Sequence, residues 1–229
     1  MPKNRILMLM VMGAIVFFYG CGAPPSPIDE IRSALKGVPT YSAILEDMNV
    51  EGNFFKDYYH KYLVIVEDKS TETGWRKVSE KFYKQYEPFL GMTVWSKKDG
   101  KESGSAGPPG YEYVGDSRYG KWQSDSSGRS FWAFYGQYRL MSDLLGMGGP
   151  IYRNNYGAYQ QYRAKGQPYY GPRNQYGTQG SVTKKQKPNF YSRRMQREQG
   201  KRSSFSDKVN KRVGRSRSNV RGRSGGWGK

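Results

Sequence analysis

The chain of 229 residues contains one cysteine and one histidine. A single cysteine closes no internal disulfide, and one Cys with one His makes no zinc site. Any Ser/His/Asp or Cys/His catalytic arrangement would have to use His60, the only histidine. Its setting, Tyr58-Tyr59-His60-Lys61-Tyr62 on a predicted strand, supplies no oriented partner, so it reads as a structural or surface histidine. Acids are scarce too, with 19 Asp+Glu against 38 Lys+Arg and a net charge of +19. Glu46, Asp47, Glu51 and Asp57 lack the alternate spacing of a calcium loop and read as solvated turn acids. The glycines between Lys97 and Gly110 lack the strand-Gly-x-Gly-x-x-Gly-helix context that cradles phosphate. The sequence therefore assigns no catalytic residue, no metal ligand and no cofactor.

The charge is segregated. Residues 1–20 carry Lys3 and Arg5 and no acid. Residues 21–148 hold 16 basic and 17 acidic side chains, whereas residues 149–229 hold 20 basic ones against only Glu198 and Asp207. A near-neutral body thus precedes a strongly cationic tail, and such asymmetry marks separate units with separate roles.

Lys3 and Arg5 are followed by the uncharged apolar run Ile6–Phe18, then Phe18-Tyr19-Gly20-Cys21 and the spacer Gly-Ala-Pro-Pro-Ser-Pro (22–27). A basic n-region, an apolar h-region and a cysteine at its end form a processing pattern. This leader (1–20) resembles the signal peptide and lipobox of bacterial lipoproteins. Phe18 stands where Leu is commonest, and Tyr19 where a small residue is usual. The resemblance implies acylation of Cys21, cleavage before it, and a mature protein held on a membrane of the cell envelope. Gly22, rather than Asp, after the cysteine implies the outer membrane in an organism that has one. An uncleaved N-terminal membrane helix and an ordinary secretory signal are the other readings of the same stretch.

The body, 28–148, reads as a small α+β domain of a few strands and about three helices. Ser26-Pro27-Ile28-Asp29 is a helix start, and Gly37-Val38-Pro39 ends that helix. Tyr41–Met48 and Tyr58–Glu67 predict strands, the second with Tyr59, Lys61, Leu63 and Ile65 on one face and His60, Tyr62, Val64 and Val66 on the other. Asp68–Gly74 predicts a turn, and Trp75–Phe89 a helix from its three-to-four spacing of Val78, Phe82, Tyr86 and Phe89. Met92–Ser96 and Tyr111–Val114 predict short strands, separated by a polar Gly-rich loop over 97–109. Phe131–Leu145 predicts a helix whose stripe of Phe131, Phe134, Tyr135 and Tyr138 reads as core.

The tail, 149–229, holds few aliphatic residues and is rich in Gly, Tyr, Gln, Ser and Arg, so it is expected to be disordered. Only Tyr152, Tyr156, Tyr159 and Tyr162 have helical spacing, weakened by Gly157. The cationic end is the candidate anion-binding segment: Lys184, Lys185, Lys187, Arg193, Arg194, Arg197, Lys201, Arg202, Lys208, Lys211, Arg212, Arg215, Arg217, Arg221 and Arg223. In a cytosolic protein, basic, aromatic, Gly-rich texture of this kind resembles RGG-type RNA-binding segments. An exported chain meets little nucleic acid, so anionic lipids, anionic envelope polymers or an envelope protein are the expected partners. The leading expectation is a non-enzymatic envelope lipoprotein with a cationic arm. A small envelope hydrolase, or an RNA-binding protein if the leader is something else, are the alternatives.

Overall fold

The computed structural model describes residues 26–52, 55–145 and 149–216. The lipobox, Cys21, and the basic residues Arg217, Arg221 and Arg223 lie outside the described residues. The described chain divides into one unit that runs to Lys187 and a second that begins at Pro188.

The first unit is α+β, as expected. Helix α1 (Pro27–Ala34) starts on Pro27 with Asp29 and Glu30 in its first turn, where the helix dipole favours negative charge. Its apolar face buries Ile28 and Ile31. Strands β1 (Tyr41–Glu51), β2 (Asp57–Val66), β3 (Lys69–Val78), β4 (Thr93–Lys98) and β5 (Lys101–Ser103) form an antiparallel sheet in the order β3-β2-β1-β4-β5. Helix α2 (Glu80–Tyr86) follows β3, and its first turn is capped by Ser79 Oγ, which accepts from the Phe82 amide at 3.2 Å.

Two expectations fail in this sheet for local reasons. Residues 69–78 were expected as a turn running into a helix, yet they form β3. Its side chains are mostly exposed, so a polar edge strand carries no hydrophobic alternation to read. The Gly-rich loop over 97–109 begins instead as the β4–β5 hairpin. Asp99 and Gly100 both have positive φ, 49° and 80°, which is the Asp-Gly chemistry of a two-residue hairpin turn.

The central strands are covered on both faces. Tyr41, Ala43 and Leu45 share one face with Tyr62, Val64 and Val66 through the β1–β2 register. His60 and Tyr62 are buried on that face, and His60 lies against Phe82, Tyr83 and Tyr86, with Phe82 and Tyr83 ring centroids at 5.6 and 5.3 Å. The other face presents Ile44, Leu63 and Ile65, packed with Tyr113, Tyr119, Tyr138 and Met141. The two-faced reading of Tyr58–Glu67 therefore corresponds to two separate apolar layers.

Downstream, Tyr111–Tyr113 form a 3-10 turn rather than a strand. Phe131–Leu145, expected as one helix, splits into β7 (Ser130–Phe134) and α3 (Arg139–Leu145). The aromatic spacing that suggested a helix arises where a strand adjoins a 3-10 turn. Strands β6 (Gly120–Ser124), β7 and β8 (Ile151–Tyr152) make a second antiparallel sheet. Its register puts Trp122, Trp132 and Ile151 in one row.

The disordered tail expected from residue 149 is corrected over 149–187, which is folded. Helix α4 (Arg153–Ala164) lays Tyr156 and Tyr159 toward the Trp122–Trp132–Ile151 row, despite Gly157. Tyr159, Tyr169, Tyr176 and Val182 are all buried in the same core as Met92, Tyr111 and Val114. The segment is tied in by backbone as well: the Tyr169 amide donates to Ala106 O at 2.9 Å and the Thr178 amide to Pro88 O at 3.0 Å. Helix α5 (Ser181–Gln186) closes the unit. Tyrosines replace aliphatics here, since each buried ring removes on the order of 150–250 Å² from water. A reading based on scarce Leu, Ile and Val misses a core built from phenol rings.

The described residues of the second unit form one helix, α6 (Pro188–Ser216).

Candidate functional site

Three features of the described residues could carry function: buried titratable groups, an arginine-lined depression and the basic residues of α6. His60 has no solvent exposure. Its Nδ1 lies 2.9 Å from the Tyr62 hydroxyl oxygen, and its Nε2 has no hydrogen-bond partner among the described residues. Burial pushes its pKa down to about 3. A base at neutral pH needs access to a reacting proton, and this imidazole is walled in by four aromatic rings.

Glu112, which the sequence did not single out, is the other buried titratable group of note. It sits on the 3-10 turn between Tyr111 and Tyr113 and is 4% exposed. Burial pushes its carboxyl above the usual range, against the pull of backbone and hydroxyl hydrogen bonds. Thr93 Oγ1 donates to its Oε1 at 3.2 Å. The neighbouring Tyr113 hydroxyl donates to Ser42 Oγ at 3.1 Å. The group is an anchor between the first sheet and the 3-10 turn.

The four acids read as solvated turn residues instead lie on β1 (Glu46, Asp47, Glu51) and at the start of β2 (Asp57), and each has a partner. Asp57 pairs with Lys77 at 2.7 Å, and Glu51 accepts from Asn49 Nδ2 at 3.1 Å. Asp47 accepts from the Met48 amide at 2.8 Å, and Glu46 pairs with Lys187. Among the described residues, no group of three or more His, Cys, Asp or Glu side chains could hold a metal ion.

An open depression of about 800 Å³ is lined by Arg129, Arg153 and Arg173 together with Tyr152, Asn154, Asn155 and Gln175. Among the described residues, no carboxylate lines it. Two of its three guanidinium groups are already engaged. Arg129 pairs with Asp125 at 3.0 Å and lies 4.5 Å over the Tyr152 ring, while Arg153 lies 4.6 Å over the Trp122 ring.

The basic residues singled out from sequence divide into three groups. Lys187 is corrected: its ammonium pairs with Glu46 of β1, both side chains being about four-fifths buried, so it fastens α5 to the sheet. Lys184 and Lys185 lie exposed on α5. Arg193, Arg194, Arg197, Lys201, Arg202, Lys208, Lys211, Arg212 and Arg215 all fall on α6. At 3.6 residues per turn, Arg193, Arg194, Arg197, Lys201, Lys208, Lys211 and Arg212 fall within a sector of about 100°, and Arg202 lies outside it. The sequence reading found the residues but not the sector, because it took the segment as disordered. The spacing 193, 197, 201, 208, 212 was the available signal.

Comparison with protein-family models, with curated proteins and with solved structures gave no match. Among the described residues, no helix is long and apolar enough to cross a membrane.

Proposed function

We propose that the chain is a membrane-anchored bacterial envelope lipoprotein of non-enzymatic, structural or interaction type. In this reading acylated Cys21 holds the protein on the bilayer and the cationic C-terminal unit engages anionic envelope components. The observation that carries it is the basic sector of α6, on a unit separate from the folded α+β body. Residues 188–229 hold thirteen basic side chains against Glu198 and Asp207. A sector of like charge stores self-repulsion that an anionic surface relieves, and each Lys or Arg near an anionic membrane contributes about 1 kcal/mol. The lipobox-like leader supports the envelope setting, since a diacylated cysteine anchors stably where a single chain does not. Gly22 favours the outer membrane in a diderm organism.

The test is the salt dependence of anion binding. Binding of the purified protein to polyphosphate should fall steeply between 50 and 500 mM salt, about the range over which the Debye length shortens below the spacing of surface charges. Deletion of 188–229 should abolish it. Binding that ignores salt, or survives the deletion, contradicts the reading.

A further inference from the structure

The basic sector is only part of α6. Next to it around the helix, Tyr191, Met195, Phe205 and Val209 fall within a second sector of about 80°. Met195, Phe205 and Val209 are 60%, 69% and 41% exposed, so all three large apolar side chains stand open to solvent. The remaining sector holds Ser192, Gln196, Gln199, Gly200, Ser203, Ser206, Asp207 and Asn210, which are small or polar. The helix thus has three stripes: basic, apolar, and a polar one whose single charge is Asp207.

We infer that α6 is an interfacial helix that lies in the plane of an anionic bilayer, with Met195, Phe205 and Val209 below the headgroups. The inference rests on the reading of α6 as an anion-binding arm and adds the occupant and the mode. A soluble polyanion would satisfy the basic stripe and leave the apolar one in water. An anionic membrane offers phosphates and hydrocarbon side by side, matching adjacent stripes on one helix. Rolled with the apolar stripe down, the helix directs its basic stripe along one flank, where long Lys and Arg stems reach up to phosphate. Two charges interrupt the apolar stripe. Glu198 pairs with Arg194 at 3.5 Å, and Arg202 is long enough to reach the headgroups. The apolar stripe is short, so insertion is shallow and charge still provides most of the affinity. At 29 residues the helix spans about 43 Å, long enough to cross many headgroups.

The experiment uses the unacylated Cys21→Ser chain, residues 21–229, which contains every described residue. Two probes are titrated in parallel: vesicles containing one-third phosphatidylglycerol, and soluble polyphosphate. The Phe205→Ser/Val209→Ser variant should bind vesicles about tenfold more weakly and polyphosphate unchanged. The parent chain should also keep measurable vesicle binding at a salt concentration that releases polyphosphate. If the variant binds vesicles as well as the parent, or if both probes release together with salt, interfacial seating is overturned while the anion-binding arm stands. If the parent binds neither probe, both readings fall. Preference for an RNA oligonucleotide over the vesicles at equal phosphate concentration overturns the membrane as occupant.

Discussion

His60 illustrates how a single residue can be legible in type but not in consequence. Its place on a strand between tyrosines was readable, and a structural or surface histidine was the expectation. Tyr62 of β2 forms one wall of its cage, but Phe82, Tyr83 and Tyr86 come from α2 folding onto the sheet, which β2 alone does not reveal. Burial holds the folded pKa near 3 against 6.5 for a free imidazole. The folded state therefore favours the neutral ring, and the unfolded chain binds the proton first as pH falls. The stability from keeping His60 neutral is complete above about pH 6.5. It is lost progressively below that, by up to roughly 1.4 kcal/mol per pH unit until the folded group itself titrates. The Tm should drop between pH 7 and pH 5, a range above most carboxylate titrations, and the drop should be smaller in His60→Phe and His60→Gln. Equal pH dependence in both variants and the parent would show that another group governs it. Glu112 was less legible. In a strand its side chain would point away from those of Tyr111 and Tyr113, but the 3-10 turn buries all three.

At the scale of elements, strands with apolar character were readable and polar ones were not. Tyr41–Met48 and Tyr58–Glu67 match β1 and β2 because burial imposes branched and aromatic residues on them. β3 is held by its pairing with β2 and buries little else, so only the partner strand explains it. The region 149–187 misled for a different reason. Its core contacts come from Tyr156, Tyr159, Tyr169 and Tyr176, residues that also populate disordered, glycine-rich segments. Their burial makes a sharp prediction. A chain ending at Gly148 removes Ile151, Tyr159, Tyr169, Tyr176 and Val182 from a shared core, and should lose cooperative thermal unfolding. A chain ending at Glu198 keeps them, the Glu46 ion pair and the buried Phe190, and should unfold with a Tm within a few degrees of the full protein. Cooperative unfolding of the shorter chain would mean that 149–187 is dispensable to the fold.

At the scale of the whole molecule, charge segregation was visible in the sequence, but the boundary it suggested was misplaced. The balance turns basic after residue 148, whereas the fold continues to Lys187 and the separate unit starts at Pro188. Composition reports where charge accumulates. The fold boundary follows tertiary packing, which runs on past residue 148, and burial itself continues to Phe190. Moving it assigns Lys187 to the body as a structural ion pair and leaves α6 as the cationic element. The proposed role joins two ends of the chain: a lipid anchor at Cys21 keeps the protein at a membrane, and α6 supplies a second, charge-driven contact. Together they would act by effective concentration, since an anchored arm samples the nearby surface far more often than a free one.

The anchor is the central claim, and intact mass spectrometry of the protein purified from bacterial membranes, read together with its N-terminal sequence, tests it most directly. The account predicts a chain that begins at Cys21, carries two or three acyl groups on that residue, and becomes soluble and unacylated in Cys21→Ser. An unmodified chain retaining residues 1–20, or a mature chain that begins elsewhere with a free Cys21 thiol, would contradict it.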